Sequence, residues 1–146
     1  MKLALMKSFL LTLTRGNVAA ITLFPFGIYF KNDYYLNSPR TKNHEKIHWK
    51  QQIGMFIAGL IMSLITLFFL IFFGVSMWWL FLLIPFPLLF FYLWYVSEWF
   101  IKLFIYGEKA YKNISYEREA YSNENNFDYH KIQKYFSWLK YIFKAS

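Results

Sequence analysis

The chain has 146 residues, no cysteine and a formal net charge of +8; 58% of it is apolar and 25% aromatic. That is one domain's worth of residues, and without thiols it excludes disulfides and thiolate metal sites. The basic residues flank an apolar block instead of forming one run, a pattern that argues against a nucleic-acid partner and for anionic lipid and topology signals.

The block itself is decisive for class. Between Lys50 and Lys102 there is no Lys or Arg and a single acid, Glu98. A soluble protein of this size has too little interior to hide such a stretch, so the expectation is an all-α integral membrane protein. It is a two-span helical hairpin with interfacial amphipathic helices at both termini. Residues 1–146 form one membrane domain with three parts. These are an interfacial or re-entrant segment (1–37), a helix and transmembrane hairpin (38–107), and cytoplasmic helices (108–146).

In chain order, Met1, Lys2 and the apolar residues after them loosely resemble a signal sequence. Lys7 interrupts the run and Arg15 follows without a small-residue cleavage site. The segment reads as a retained amphipathic stretch on the membrane surface. Residues 18–30 are apolar but at 13 residues too short to span, and Pro25 and Gly27 break them. An embedded, re-entrant or packed extended piece fits. Ser38-Pro39 is a helix start, with Ser38 as N-cap and Pro39 in the first helical position.

The helix runs on through His44, His48 and Gln52 into residues 53–73, an apolar stretch of 21 residues. At about 1.5 Å per residue this covers a ~30 Å hydrocarbon core. Gly74-Val75-Ser76 is the turn. Residues 77–106 are the return span, kinked or delayed by Pro85 and Pro87, and Gly107 ends it. Residues 108–123 have polar helical character. Beyond a break at residues 123–126, Ile132, Tyr135, Phe136, Leu139, Ile142 and Phe143 recur at helical spacing beside Lys131, Lys134, Lys140 and Lys144. That describes either a basic amphipathic surface helix or an ordinary packing helix. Eight Lys and Arg precede the hairpin and eight follow it, with none in its turn, so the positive-inside rule puts both termini in the cytoplasm.

His44-Glu45-Lys46-Ile47-His48 is an H-E-x-x-H sequence on a predicted helix. Its two His at i and i+4 project from one face, and the Glu between them reaches a metal-bound water. Zinc lowers the pKa of such a water to about 7 and a Glu takes its proton. His44 and His48 are therefore candidate zinc ligands and Glu45 the candidate general base. The bland alternative is a solvated turn beside Lys42, Lys46 and Lys50. A third ligand is needed, and Glu108, Glu117, Glu119 and Glu124 lie on the same side of the hairpin. Glu117, which opens E-x-x-A on a helix, is the choice, with Glu119 in reserve. The two lie about 200° apart around a helix and do not both aim at one ion.

H-E-x-x-H, a membrane span and then E-x-x-A resembles the gluzincin group of membrane metallopeptidases. His44 through Gln51 extends the likeness to H-E-x-x-H-x-x-Q, and the later E-x-E-A-Y resembles short bacterial membrane proteins carrying both motifs. The resemblance implies a zinc-dependent hydrolase of the bacterial inner membrane acting on a protein or peptide. By the same match Glu117 is the third ligand. Those families place Asp where this chain has Tyr121, so Tyr121 and Gln51 are the expected supporting contacts to the ligands. The alternative is a non-catalytic membrane subunit of a larger complex with a structural or vestigial metal. Glu98 is expected to pair with Lys102 four residues on, or to serve the site or a partner. Arg118 either stabilises an oxyanion or forms a solvated salt bridge, and His130 belongs to the C-terminal surface helix.

Overall fold

The computed structural model of the protein describes residues 1–6 and 18–144, apart from the side chain of Met77. The chain is mostly helical, and it forms two compact units: Met1–Gln51 with Ser115–Ser146, and Gln52–Ile114.

The first unit opens with a sheet, which departs from the all-α expectation. β1 (Leu3–Leu5), β2 (Ala20–Leu23) and β3 (Gly27–Phe30) lie in the order β1-β3-β2. β2 and β3 pair antiparallel, with Thr22 opposite Ile28, and β1 pairs parallel with β3, with Leu3 opposite Ile28. Of the readings open for residues 18–30, the packed extended piece is the one found. Ile28 and Phe30 are fully buried, whereas the tight link at residues 24–26 supplies the reversal. Gly27 has φ +144°, and a Cβ there would sit 2.5 Å from the Lys2 carbonyl oxygen, which accepts from the Ile28 N–H at 2.8 Å. Only glycine lets β1 close on β3 at that point. The surface amphipathic segment expected at the N-terminus is a strand over Leu3–Leu5, and residues 7–17 lie outside the described residues.

α1 (Asp33–Asn37) leads into α2 (Pro39–Phe72), and the Ser38 hydroxyl oxygen accepts from the Thr41 N–H at 3.2 Å. The Ser-Pro helix start is thus as read from the sequence.

In the second unit Gly74, at φ +63°, ends the apolar run. A 3-10 turn (Met77–Trp79), the short α3 (Leu80–Leu83) and Pro85 then delay the regular α4 (Phe86–Tyr106). Pro85 and Pro87 lack the N–H groups that an interior turn needs, so the regular helix begins where that loss costs nothing. Gly59 of α2 packs against α4 so closely that a Cβ would lie 2.9 Å from Pro87 Cα and 3.1 Å from Phe90 Cβ. Ser63 donates to the Leu83 carbonyl at 3.3 Å. Glu98 and Lys102, both buried, pair at 2.7 Å, and the same ammonium also donates to the Asn113 carbonyl at the end of α5 (Ala110–Asn113). α2 and the helix beginning at Phe86 are long and apolar enough to cross a membrane. Only 17% of the most apolar stretch of each is buried, the reverse of a soluble core helix.

The remaining elements belong to the first unit. α6 (Ser115–Asn123) is buried along residues 115–120. α7 (Tyr129–Ile132) is a single turn, and a 3-10 turn (Ser137–Tyr141) follows. The amphipathic helix expected over residues 131–144 is therefore broken. Gln133 turns the chain extended at ψ 131°, which lets Trp138 bury itself against the Tyr116 ring at 4.4 Å. Of the apolar residues that were to form the stripe, all but the half-buried Ile142 are exposed.

Candidate metal centre

All the site residues belong to the first unit. α2 presents His44 and His48 one turn apart, and α6 presents Glu117 opposite them. The two Nε2 atoms and the Glu117 carboxylate converge, each imidazole facing a different carboxylate oxygen. His44 Nε2 and His48 Nε2 are 3.1 Å apart, His44 Nε2 to Glu117 Oε2 is 3.4 Å, and His48 Nε2 to Glu117 Oε1 is 3.4 Å. Ligands bound tetrahedrally at about 2.0–2.1 Å stand roughly 3.3 Å from one another. Each separation is close to that value, one ligand atom from each residue lies within 4.8 Å of the others, and all three residues are buried.

The donor set could hold a metal ion. His44 Nδ1 lies 2.9 Å from Glu124 Oε2, and His48 Nδ1 lies 2.7 Å from Gln51 Oε1. The Gln51 oxygen is identified by its amide nitrogen, which donates to the Tyr116 carbonyl at 3.2 Å and to Glu119 Oε2 at 2.8 Å. Both Nδ1 atoms therefore face acceptors and carry the ring protons. Each Nε2 then faces the other Nε2 and a Glu117 oxygen. Lone pairs packed this closely repel unless a proton or a metal ion sits among them.

The site residues precede or follow the uncharged stretches, and their charge states reflect the same convergence. Burial disfavours both ionised forms, but the Glu117 and Glu45 carboxylates override it and hold His48 up to about 9. Burial likewise opposes ionisation of Glu117, and the two imidazoles hold its carboxyl well below the usual range.

Glu45, the candidate base, is buried, and its carboxylate is held from the sheet. The Thr22 hydroxyl of β2 donates to Glu45 Oε2 at 2.7 Å and lies 3.1 Å from the Glu45 carbonyl oxygen. This is the contact through which the unexpected sheet bears on the site.

No protein-family model matches the chain, and no curated protein and no solved structure match it either. The site must be judged on its own atoms.

Glu119, the reserve ligand, points elsewhere. It is fully buried and accepts from Gln51, from the Tyr129 hydroxyl at 2.8 Å and from the Ser137 hydroxyl. Gln51 stands against His48 Nδ1 and Glu119. Tyr121 meets His44 through its ring, edge-on at 4.8 Å. Burial, reinforced by Glu117 and Glu124, pushes its phenol up to about 12. Arg118 is buried instead of solvated, and its Nη1 has no hydrogen-bond partner among the described residues. His130 Nδ1 lies 3.3 Å from Asn43 Oδ1, and Glu108 belongs to the other unit.

Thr22, Arg40 and Asn43 were missed. Arg40 donates from Nε to Glu124 Oε1 at 2.9 Å, with its Nη2 also on that oxygen. Asn43 donates from Nδ2 to the carbonyls of Asn123, Glu124 and Asn126 at 3.2, 2.9 and 2.9 Å. The i, i+4 spacing of Arg40 and His44 was the available signal, since it sets both side chains on one helical face.

Proposed function

We propose that this chain is a zinc-dependent hydrolase of the gluzincin type, cleaving peptide bonds at the cytoplasmic face of a bacterial inner membrane. The observation that carries the reading is the convergence of His44 Nε2, His48 Nε2 and the Glu117 carboxylate, buried and 3.1–3.4 Å apart. In this reading α2 and α4 cross the bilayer, both termini are cytoplasmic, and the flanking Lys and Arg contact anionic headgroups.

His44 Nε2, His48 Nε2 and a Glu117 oxygen hold the ion. Zinc held there would supply Lewis acidity, which lowers the pKa of a bound water to about 7. Glu45 accepts a proton from the attacking water at Oε1, the oxygen that Thr22 does not engage. The water oxygen joins the carbonyl carbon, the C–N bond breaks, and Glu45 returns the proton to the leaving amine. Thr22 holds the carboxylate in place for both transfers.

A second reading has a specific observation in its favour. The side chains of His44, His48 and Glu117 are only 11%, 9% and 4% exposed, and closed sites suit a structural metal in a membrane subunit. Purified protein in detergent, offered a library of fluorescence-quenched peptides, separates the two. Glu45→Gln should keep its zinc and lose cleavage by about 100-fold or more. Equal cleavage by wild type and Glu45→Gln would overturn the mechanism. Bound zinc with no cleavage by wild type would select the structural reading.

A further inference from the structure

We propose that Glu124 is a positioning residue of the metal centre. Steered by Arg40, its carboxylate fixes His44 in the tautomer and orientation that present Nε2 to the ion. The inference rests on the metal-site reading above and goes beyond it, because it assigns to Glu124 a role that the sequence motifs place at position 121.

The observations come from three directions. On the imidazole side, Glu124 Oε2 stands 2.9 Å from His44 Nδ1. An ionised carboxylate only accepts, so the proton must sit on Nδ1 and the lone pair on Nε2. On the far side, Arg40 occupies Oε1 through both Nε and Nη2, which leaves Oε2 as the oxygen turned to the ring. Beneath, the Asn43 amide ties down the carbonyls of residues 123, 124 and 126. These lie where α6 ends and its last carbonyls lack intrahelical partners. Glu124 and Asn43 are 5% and 3% exposed, so the carboxylate has little freedom to swing.

The same geometry excludes Glu124 as a ligand. It approaches the nitrogen across the ring from the one facing Glu117 and His48. Tyr121, one turn earlier, touches His44 by ring packing and supplies no charge. A carboxylate three residues further along the chain therefore serves His44 here. His48 is served differently, by the neutral Gln51 amide, itself braced on Glu119. The two imidazoles are thus oriented by partners of unequal charge, and His44 is the one whose orientation depends on a carboxylate.

The test uses the full chain purified in detergent, with zinc affinity from competition against a chromophoric chelator and cobalt(II) spectra of the loaded site. Glu124→Gln should weaken zinc by about 10–100-fold and shift the cobalt ligand-field bands, with the metal-free melting curve retained. Asp128→Asn removes an exposed carboxylate elsewhere in the same unit and should change neither. If Glu124→Gln does not fold, Arg40→Gln removes only the steering group, which is 63% exposed in its side chain, and should weaken zinc several-fold. Wild-type affinity and cobalt spectrum in folded Glu124→Gln, or in Arg40→Gln where only that variant folds, would overturn the inference while leaving the metal site standing. Wild-type protein that binds no zinc would instead remove the reading beneath it.

Discussion

Gln51 Nε2 donates to Glu119 Oε2 across 2.8 Å, and through that amide a fully buried carboxylate is joined to His48 without approaching the ion position. Glu117 and Glu119, two residues apart, thus have opposite assignments. One stands against both imidazoles and the other is joined to His48 through Gln51.

That division gives the first prediction. Glu117→Gln should abolish stoichiometric zinc binding. Glu119→Gln should keep a bound ion and lose about 1–3 kcal/mol of stability, because the buried Gln51 amide and the Tyr129 and Ser137 hydroxyls lose a carboxylate acceptor. Metal analysis beside thermal unfolding checks the pair. Loss of zinc in Glu119→Gln with retention in Glu117→Gln would reverse the assignment.

The charge state of His48 gives the second. The metal-free site holds a proton on His48, whose pKa stands at about 9, and zinc must displace it. Raising the pH removes the competitor, so zinc affinity should climb through neutrality and level off near 9. Calorimetry at pH 7.5 in buffers of different ionisation enthalpy should find about one proton released per ion bound. A heat independent of the buffer would contradict this.

In the second unit, Gly59 is the point where a Cβ would meet Pro87 backbone at 2.9 Å. Membrane helices approach closely only over small residues. Gly59→Leu should separate α2 from α4, seen as loss of a disulfide engineered between the two helices. Gly59→Ala should be milder. Unchanged cross-linking in Gly59→Leu would show that the approach does not matter.

Lys102→Met should be strongly destabilising, by about 3–5 kcal/mol, because it leaves the buried Glu98 carboxylate without its cation. Glu98→Leu combined with Lys102→Met should recover most of the loss. Denaturation in detergent measures both, and additive losses in the double variant would argue against the pair.

Much of the helical frame was legible in the sequence because its signals are local. Ser38-Pro39 starts α2, Gly74 ends the apolar run, and Pro85 and Pro87 delay α4. The H-E-x-x-H spacing alone set both imidazoles on one face. The sheet was not legible: its strands are only three or four residues long, too short for periodicity to separate from buried helix. The β1–β3 pairing also joins residues far apart in sequence. The C-terminal stripe was misleading for another reason. Its spacing suits a helix, but docking Trp138 on Tyr116 requires the extended backbone at Gln133. Glu124 appeared among the possible ligands because residue type and the expected side of the hairpin were the only signals. Which nitrogen of His44 it would face is a matter of tertiary geometry.

The most direct test of the metal centre is the metal content of protein purified without added zinc, for wild type and for His44→Ala. The centre predicts about one zinc per chain in wild type and almost none in His44→Ala, since three protein ligands are needed to retain the ion. Wild-type protein free of metal after zinc is supplied, or equal zinc in both, would contradict it.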